Sequence, residues 1–132
     1  MPKFGKTSQA RLATCHPDLQ LLMNALIKHI DVSIICGHRT EEEQNKAFNE
    51  GKSKLKFPQS KHNSLPSKAV DIACYPIDWN DRGRFYLMIG YVRRLADELG
   101  IKIRVGADWN GDYNTDDQNF HDLPHIELVE AI

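Results

Sequence analysis

The sequence predicts an α+β domain in which about three helices pack on a small, mainly antiparallel sheet. Apolar residues recur at helical spacing in separate stretches, and short β-branched or alternating runs bounded by turn residues lie between and after them. The last of these runs are hairpin-like, which favours antiparallel pairing.

Taken in order, His16-Pro17 opens a run in which Leu19, Leu22, Met23, Leu26, Ile27 and Ile30 form one apolar stripe, with Pro17 suited to a first helical turn. Val32 to Cys36 is short, β-branched and closed by Gly37, which reads as a strand. Thr40 and Glu43 form a capping box that opens a second helix reaching about Glu50, where Gly51 ends it. Residues 51 to 68 are basic, contain two prolines and four serines, and lack an apolar period, so they form a long loop.

A strand follows around Ala69 to Ala73. Asp78 or Asn80 is the expected cap of a third helix, whose stripe of Phe85, Met88, Val92, Leu95, Ala96 and Leu99 ends at Gly100. Ile101, Ile103 and Val105 alternate with Lys102 and Arg104 as a half-exposed strand. After a polar, aspartate-rich loop, Ile126 to Val129 forms the last strand.

A chain of 132 residues is expected to be one domain over 1–132, able to bury a core without disulfides. Its formal charge of −1 carries no electrostatic footprint for nucleic acid or a membrane surface. No segment approaches the roughly 20 apolar residues of a membrane span, and the N-terminus lacks an apolar signal core. Synthesis in a cytoplasm without an export signal, and a monomer, are the expectations. Cys15, Cys36 and Cys74 are odd in number and free of any C-x-x-C pattern, so reduced thiols are expected.

Function therefore rests on local chemistry. Strand alternation in 69-AVDIA-73 sends Val70 and Ile72 to the core and turns Asp71 to the opposite face, between two small alanines. The same alternation in 125-HIELV-129 turns His125 and Glu127 together to one face. His62, nine residues before Asp71, completes a His, Asp, His set with a fourth tetrahedral position left for water. Zinc suits these ligands and lowers the pKa of water toward roughly 7. Asp122, three residues before His125 in 121-HDLPH-125, is placed to act as general base and proton shuttle.

These residues resemble a known family. Ser60-x-His62 with Ala69-x-Asp71 is similar to the S-x-H-x(n)-A-x-D signature of zinc peptidases that include VanY-like D-Ala-D-Ala carboxypeptidases and phage L-alanyl-D-glutamate endopeptidases, and Asp122-x-x-His125 resembles their second motif. The resemblance implies a hedgehog/D-Ala-D-Ala peptidase-like fold, zinc ligands at His62, Asp71 and His125, and a catalytic base at Asp122, a place often filled by Glu. The segment 37-GHRTEEEQ-44 resembles the family's G-x-R-[ST]-x-x-x-Q, which implies a substrate or oxyanion contact at Arg39. The likeness runs from about Phe4 to Val129, and 75-YPIDWND-81 with 106-GADWNGDY-113 resembles small phage endolysins. One departure is the six residues between His62 and Ala69, where the family's usual motif has four, with Pro66 in the place of a glycine turn.

Three further residues have open roles. Glu127 either orients a ligand or contacts substrate, and Ser60 either donates a hydrogen bond to substrate or caps its loop. His121 either steadies Asp122 or is simply exposed. A second metal pattern lies at Asp108, Asn110, Asp112, Asn114 and Asp116, the alternate spacing of a calcium loop, although position six is Tyr113 and position twelve Asn119. A calcium (Ca2+) site and a solvated acidic loop are both open readings of it.

The reading is thus a Zn2+ peptidase, an endolysin cutting the L-Ala–D-Glu bond of peptidoglycan stem peptides. The basic loop 51 to 68 suits an anionic wall polymer, and holin-type release would bring the protein to the wall. The chain stops seven residues after His125, so no separate wall-binding domain is expected. The alternatives are a D-Ala-D-Ala carboxypeptidase of the same family and a non-catalytic wall-binding module stabilised by zinc.

Overall fold

The computed structural model describes residues 2–114 and 122–129. Among these, helices α1 (Lys6–Leu12), α2 (Pro17–Leu26), α3 (Glu41–Asn49) and α4 (Arg82–Leu99) accompany strands β1 (Val32–Cys36), β2 (Ala69–Cys74), β3 (Ile103–Val105) and β4 (His125–Leu128). The sheet runs β1-β2-β4-β3 with every neighbouring pair antiparallel. No described helix is long and apolar enough to cross a membrane.

Burial satisfies the expected periodicities except at Leu99, which is exposed on the last turn of α4. Leu19, Leu22, Met23 and Leu26 of α2 and Phe85, Met88, Val92, Leu95 and Ala96 of α4 join Val70, Ile72 and Ile126 in one core. Thr40 and Glu43 close a reciprocal capping box at the start of α3, and Gly100 ends α4 at φ 72°. All three cysteines are free.

Local details differ from the expectation. Helix α4 is capped by Asp81, whose carboxylate accepts from Arg84 N at 3.1 Å. Asp78 instead accepts from Asn80 N at 2.9 Å and shapes the preceding turn. Helix α2 closes at Leu26 with Ile27 as its cap, short of Ile30.

Helix α1 is an addition for which the sequence offers little signal. It carries no apolar stripe, and tertiary bonds hold it against the edge strand β1. Ser8 Oγ accepts from Ile34 N at 3.0 Å, and Arg11 Nη1 donates to Ile34 O at 3.0 Å. These bonds cover backbone groups that an open sheet edge would expose.

Two features of the sheet shape the site. Register pairs Asp71 with His125 and Ala69 with Glu127, so the metal-competent side chains lie side by side on the face away from Val70 and Ile72. A register shift between Ile34 and Cys36 forms a bulge at the end of β1. Beyond it, Gly37 comes so close to α1 that a Cβ would run into Thr14 Oγ1 and the Arg11 carbonyl.

Candidate metal centre

Asp71 on β2, His125 on β4 and His62 on the short 3-10 turn Lys61–Asn63 converge at the floor of a cleft of about 860 Å³. Asp71 Oδ1 lies 3.2 Å from His62 Nε2 and 3.1 Å from His125 Nδ1, and the two ring nitrogens are 3.3 Å apart. Ligand atoms bonded at about 2.0–2.1 Å to a tetrahedral zinc lie about 3.3 Å from one another. The triangle therefore has the dimensions of three tetrahedral ligands.

The hydrogen bonds behind the ligands fix which nitrogen faces the centre. His62 Nδ1 donates to Gly37 O at 2.7 Å, leaving the Nε2 lone pair directed inward. His125 Nε2 donates to Glu127 Oε1 at 2.8 Å, leaving Nδ1 inward. Two lone pairs and a carboxylate oxygen thus converge, a donor set that suits a divalent cation.

Electrostatics favour positive charge at this centre, supplied in the metal-free site by protons on the inward nitrogens. Burial opposes charge on each imidazole, but Asp71 overcomes it: His62 is raised from 6.5 to about 10 and His125, with Glu127 adding, to about 9. Burial likewise works against the Asp71 carboxylate, yet His62 and His125 hold it well below the usual carboxylate range. The pocket is built around an anion that recruits positive charge.

Asp122 stands beside this triangle, with Oδ2 3.8 Å from His125 Nδ1 and its side chain 27% exposed to the cleft. Burial, and then the charge of Asp71, raise it from 3.8 to about 6, in the range that suits a general base near neutrality. Its place is set by Gly106, whose carbonyl accepts from Asp122 N at 3.1 Å and where a Cβ would run into the Asp122 backbone.

Arg39 also lines the cleft, pinned between Gln44 Oε1 at 2.9 Å and Asp71 Oδ2 at 3.6 Å. Glu127 is buried and engaged: besides His125, it meets Arg104 at 3.0 Å and Lys61 at 3.4 Å. Burial raises its pKa, but His125, Arg104 and Lys61 together lower it from 4.5 to about 2. Of the two roles open to Glu127, this geometry is that of a group orienting a ligand. Ser60 Oγ accepts from His62 N at 3.2 Å and caps the turn carrying His62, while Ser60 itself still lines the cleft.

The lengthened segment after His62 closes compactly. Lys68 N donates to Lys61 O at 3.0 Å, and Asn63 Nδ2 donates to Arg39 O and Gln44 Oε1, each at 3.2 Å. The extra residues therefore leave the ligand triangle in place.

In the acidic loop, Asn110 Oδ1 accepts from Asp112 N and Asp112 Oδ1 from Asn114 N. Gly111 and Tyr113 adopt φ of 71° and 63°. Asp108 is buried, ion-paired with Arg93 at 3.1 Å, and its Oδ1 has no hydrogen-bond partner among the described residues. Asp116 and His121 lie outside the described residues.

Residues not singled out from the sequence also build the site. Gln44 is fully buried and donates to Leu55 O at 2.6 Å and Ser53 Oγ at 3.0 Å, tying the basic loop to Arg39. Trp109 lies against His125 with ring centroids 5.4 Å apart, and Trp79 and Arg104 line the same cleft. Cys36 Sγ is within 4.8 Å of donors on His62 and Asp71. Gln44 ends the quoted 37–44 segment, Trp79 and Trp109 lie in the quoted 75–81 and 106–113 segments, and Arg104 sits in its alternating strand, so each carried some sequence signal, whereas Cys36 carried none toward the site.

A family model described as phage L-alanyl-D-glutamate peptidase matches residues 1–129. The chain is 38% identical over 135 residues to the L-alanyl-D-glutamate peptidase of Escherichia phage T5, covering 96% of this chain and 98% of that one. Among solved structures it is similar to the L-Ala D-Glu endopeptidase ChiX of Serratia marcescens. That match has a TM-score of 0.75 at 25% identity and covers 96% of this chain and 90% of that chain.

Proposed function

The chain belongs to the phage L-alanyl-D-glutamate peptidase family, and on that premise we propose that it hydrolyses the L-Ala–D-Glu bond of peptidoglycan stem peptides with a zinc ion held by His62, Asp71 and His125. The observation that carries the metal assignment is the donor triangle of 3.1–3.3 Å edges. A zinc ion bound there supplies a Lewis acid for the scissile carbonyl and lowers the pKa of water to near neutrality.

This chain's own residues do the rest. Asp122 accepts the proton of the attacking water and returns it to the leaving amine of D-Glu, a task its raised pKa suits. Arg39 holds Asp71 in position and offers its guanidinium edge toward the carbonyl oxygen as charge develops. Gly37 and Glu127 keep the two imidazoles in the required tautomers.

Three measurements test this. Zinc content of the purified protein should be near one per chain and fall to background in His62→Ala. Mass spectrometry of digested peptidoglycan should show new D-Glu amino termini; release of free D-Ala alone would assign a carboxypeptidase instead. Asp122→Asn should keep zinc and lose about 10²–10⁴-fold in kcat. Wall lysis by that variant at the wild-type rate would reject Asp122 as the general base.

The buried Asp108 oxygen without a partner supports a second ion. Calcium would be held by Asp108, Asn110, Asp112, Asn114 and Asp116, with Tyr113 supplying the positive φ that a glycine provides at the sixth position of such loops. Calorimetry on EDTA-treated, zinc-restored protein should show calcium binding; none at millimolar levels would end this reading.

A further inference from the structure

Arg104 takes no part in holding zinc, yet it is fixed at the cleft wall on two sides. In β3 it pairs in register with Glu127. Its Nη2 donates to Glu127 Oε2 at 3.0 Å, and its guanidinium lies 5.3 Å over the ring of Trp109. Two hydrogen bonds, through Glu127, link it to His125. A guanidinium held by one edge and one face has its remaining N–H groups aimed in a set direction.

The other cations near the triangle have other tasks, Arg39 at Asp71 and the scissile carbonyl and Lys61 at Glu127. Arg39 is 16% exposed and shared between Gln44 and Asp71. Lys61 donates to the Leu128 carbonyl and pairs with Glu127. Arg104 is 52% exposed, and Glu127 is its one ion-pair partner among the described residues. A fixed, half-open guanidinium beside a hydrolytic centre is suited to an anionic group close to the scissile bond.

The proposed substrate has such a group. In stem peptides D-glutamate continues the chain through its γ-carboxyl, so its α-carboxyl is either free or amidated and stands two bonds from the scissile nitrogen. We propose that Arg104 reads the free α-carboxylate of this D-glutamyl residue, so that the enzyme selects walls with D-glutamate over walls with D-isoglutamine. The inference rests on the peptidase reading above. An amide in that place offers no charge to the guanidinium and competes poorly.

The test uses two synthetic stem peptides that differ only in the free or amidated α-carboxyl of D-Glu. They are given to the zinc-loaded wild type, Arg104→Ala and Arg104→Lys, with zinc content and thermal melts checked for each. The wild type should favour the free acid by about tenfold or more in kcat/KM, the range of a charge-assisted pair. Arg104→Ala should bring that ratio to within about twofold of unity, chiefly through a raised KM for the acid peptide, with zinc retained. Arg104→Lys, which keeps the charge without the fork, should fall between. A wild type without preference, or an Arg104→Ala protein that keeps the wild-type ratio, overturns the role of Arg104 and leaves the peptidase reading standing. A wild type that cuts neither peptide overturns that reading and this inference together.

Discussion

His62 and His125 meet 3.3 Å apart at one centre, and they are held in opposite ways. Behind His62 stands a backbone carbonyl, that of Gly37, locked by the contact of β1 with α1. Behind His125 stands a carboxylate, Glu127, which also gathers Arg104 and Lys61. A carbonyl dipole is fixed by the fold and cannot titrate. A carboxylate raises the basicity of the imidazole it faces, and it ties His125 to the charges of the cleft. One side of the centre is therefore rigid, and the other is linked electrostatically to the charged wall of the cleft.

The largest effects should ignore this asymmetry. His62→Ala and His125→Ala each remove one proposed zinc ligand, and zinc affinity measured by competition with a chelator should fall by more than about 100-fold in both, beyond the usual loss of an orienting group. The supports should separate the two sides. Gly37→Ala should lower fold stability by about 1–3 kcal/mol in urea unfolding, because the new methyl meets backbone and Thr14. Glu127→Gln, which keeps an acceptor for His125 and gives up the charge shared with Arg104 and Lys61, should weaken zinc by about 10–100-fold, with a stability cost that fades as pH falls toward 2. Equal effects of the two on stability would show that the supports are equivalent.

A smaller effect concerns pH. In the metal-free protein both histidines have pKa values raised above 6.5, so their contribution to stability is full below that pH and is lost as pH rises through about 9 to 10. Glu127, lowered from 4.5 to about 2, contributes above 4.5 and loses its share as pH falls through about 2. Asp122, raised from 3.8 to about 6, acts the other way, its share being full below 3.8 and lost as pH rises through about 6, so melts in EDTA should be most stable toward the lower end of the interval between about pH 4.5 and 6.5. With zinc the optimum should move upward, because the ion takes deprotonated ligands. Smallest of all, Lys61→Gln should change stability by only about 0.2–1 kcal/mol, since its ammonium is partly exposed.

Much of the frame was legible because it is local. The stripe of Leu19, Leu22, Met23 and Leu26, the Thr40–Glu43 box and the turn at Gly100 are each written within a few residues. Helix α1 was not legible, since its stability comes from Ser8 and Arg11 bonding to Ile34, a partner more than twenty residues away. The cap of α4 went to Asp81 because three closely spaced polar residues compete there, and only the turn around Asp78 decides among them.

In the site, the sequence by itself determined which side chains share a face. Alternation turned Asp71 away from Val70 and Ile72 and set Glu127 beside His125, since the strand period is local and needs no partner. Tertiary structure decided the rest. Register, which a one-residue slip would invert, placed Asp71 opposite His125 and Arg104 opposite Glu127. The bulge of β1 and its packing on α1 supplied the Gly37 carbonyl, and the burial of Gln44 joined Arg39 to the basic loop. The strand pairings and the Gly37 contacts join residues distant in the chain, and a pairing of that kind is fixed by packing energy rather than by any neighbouring residue.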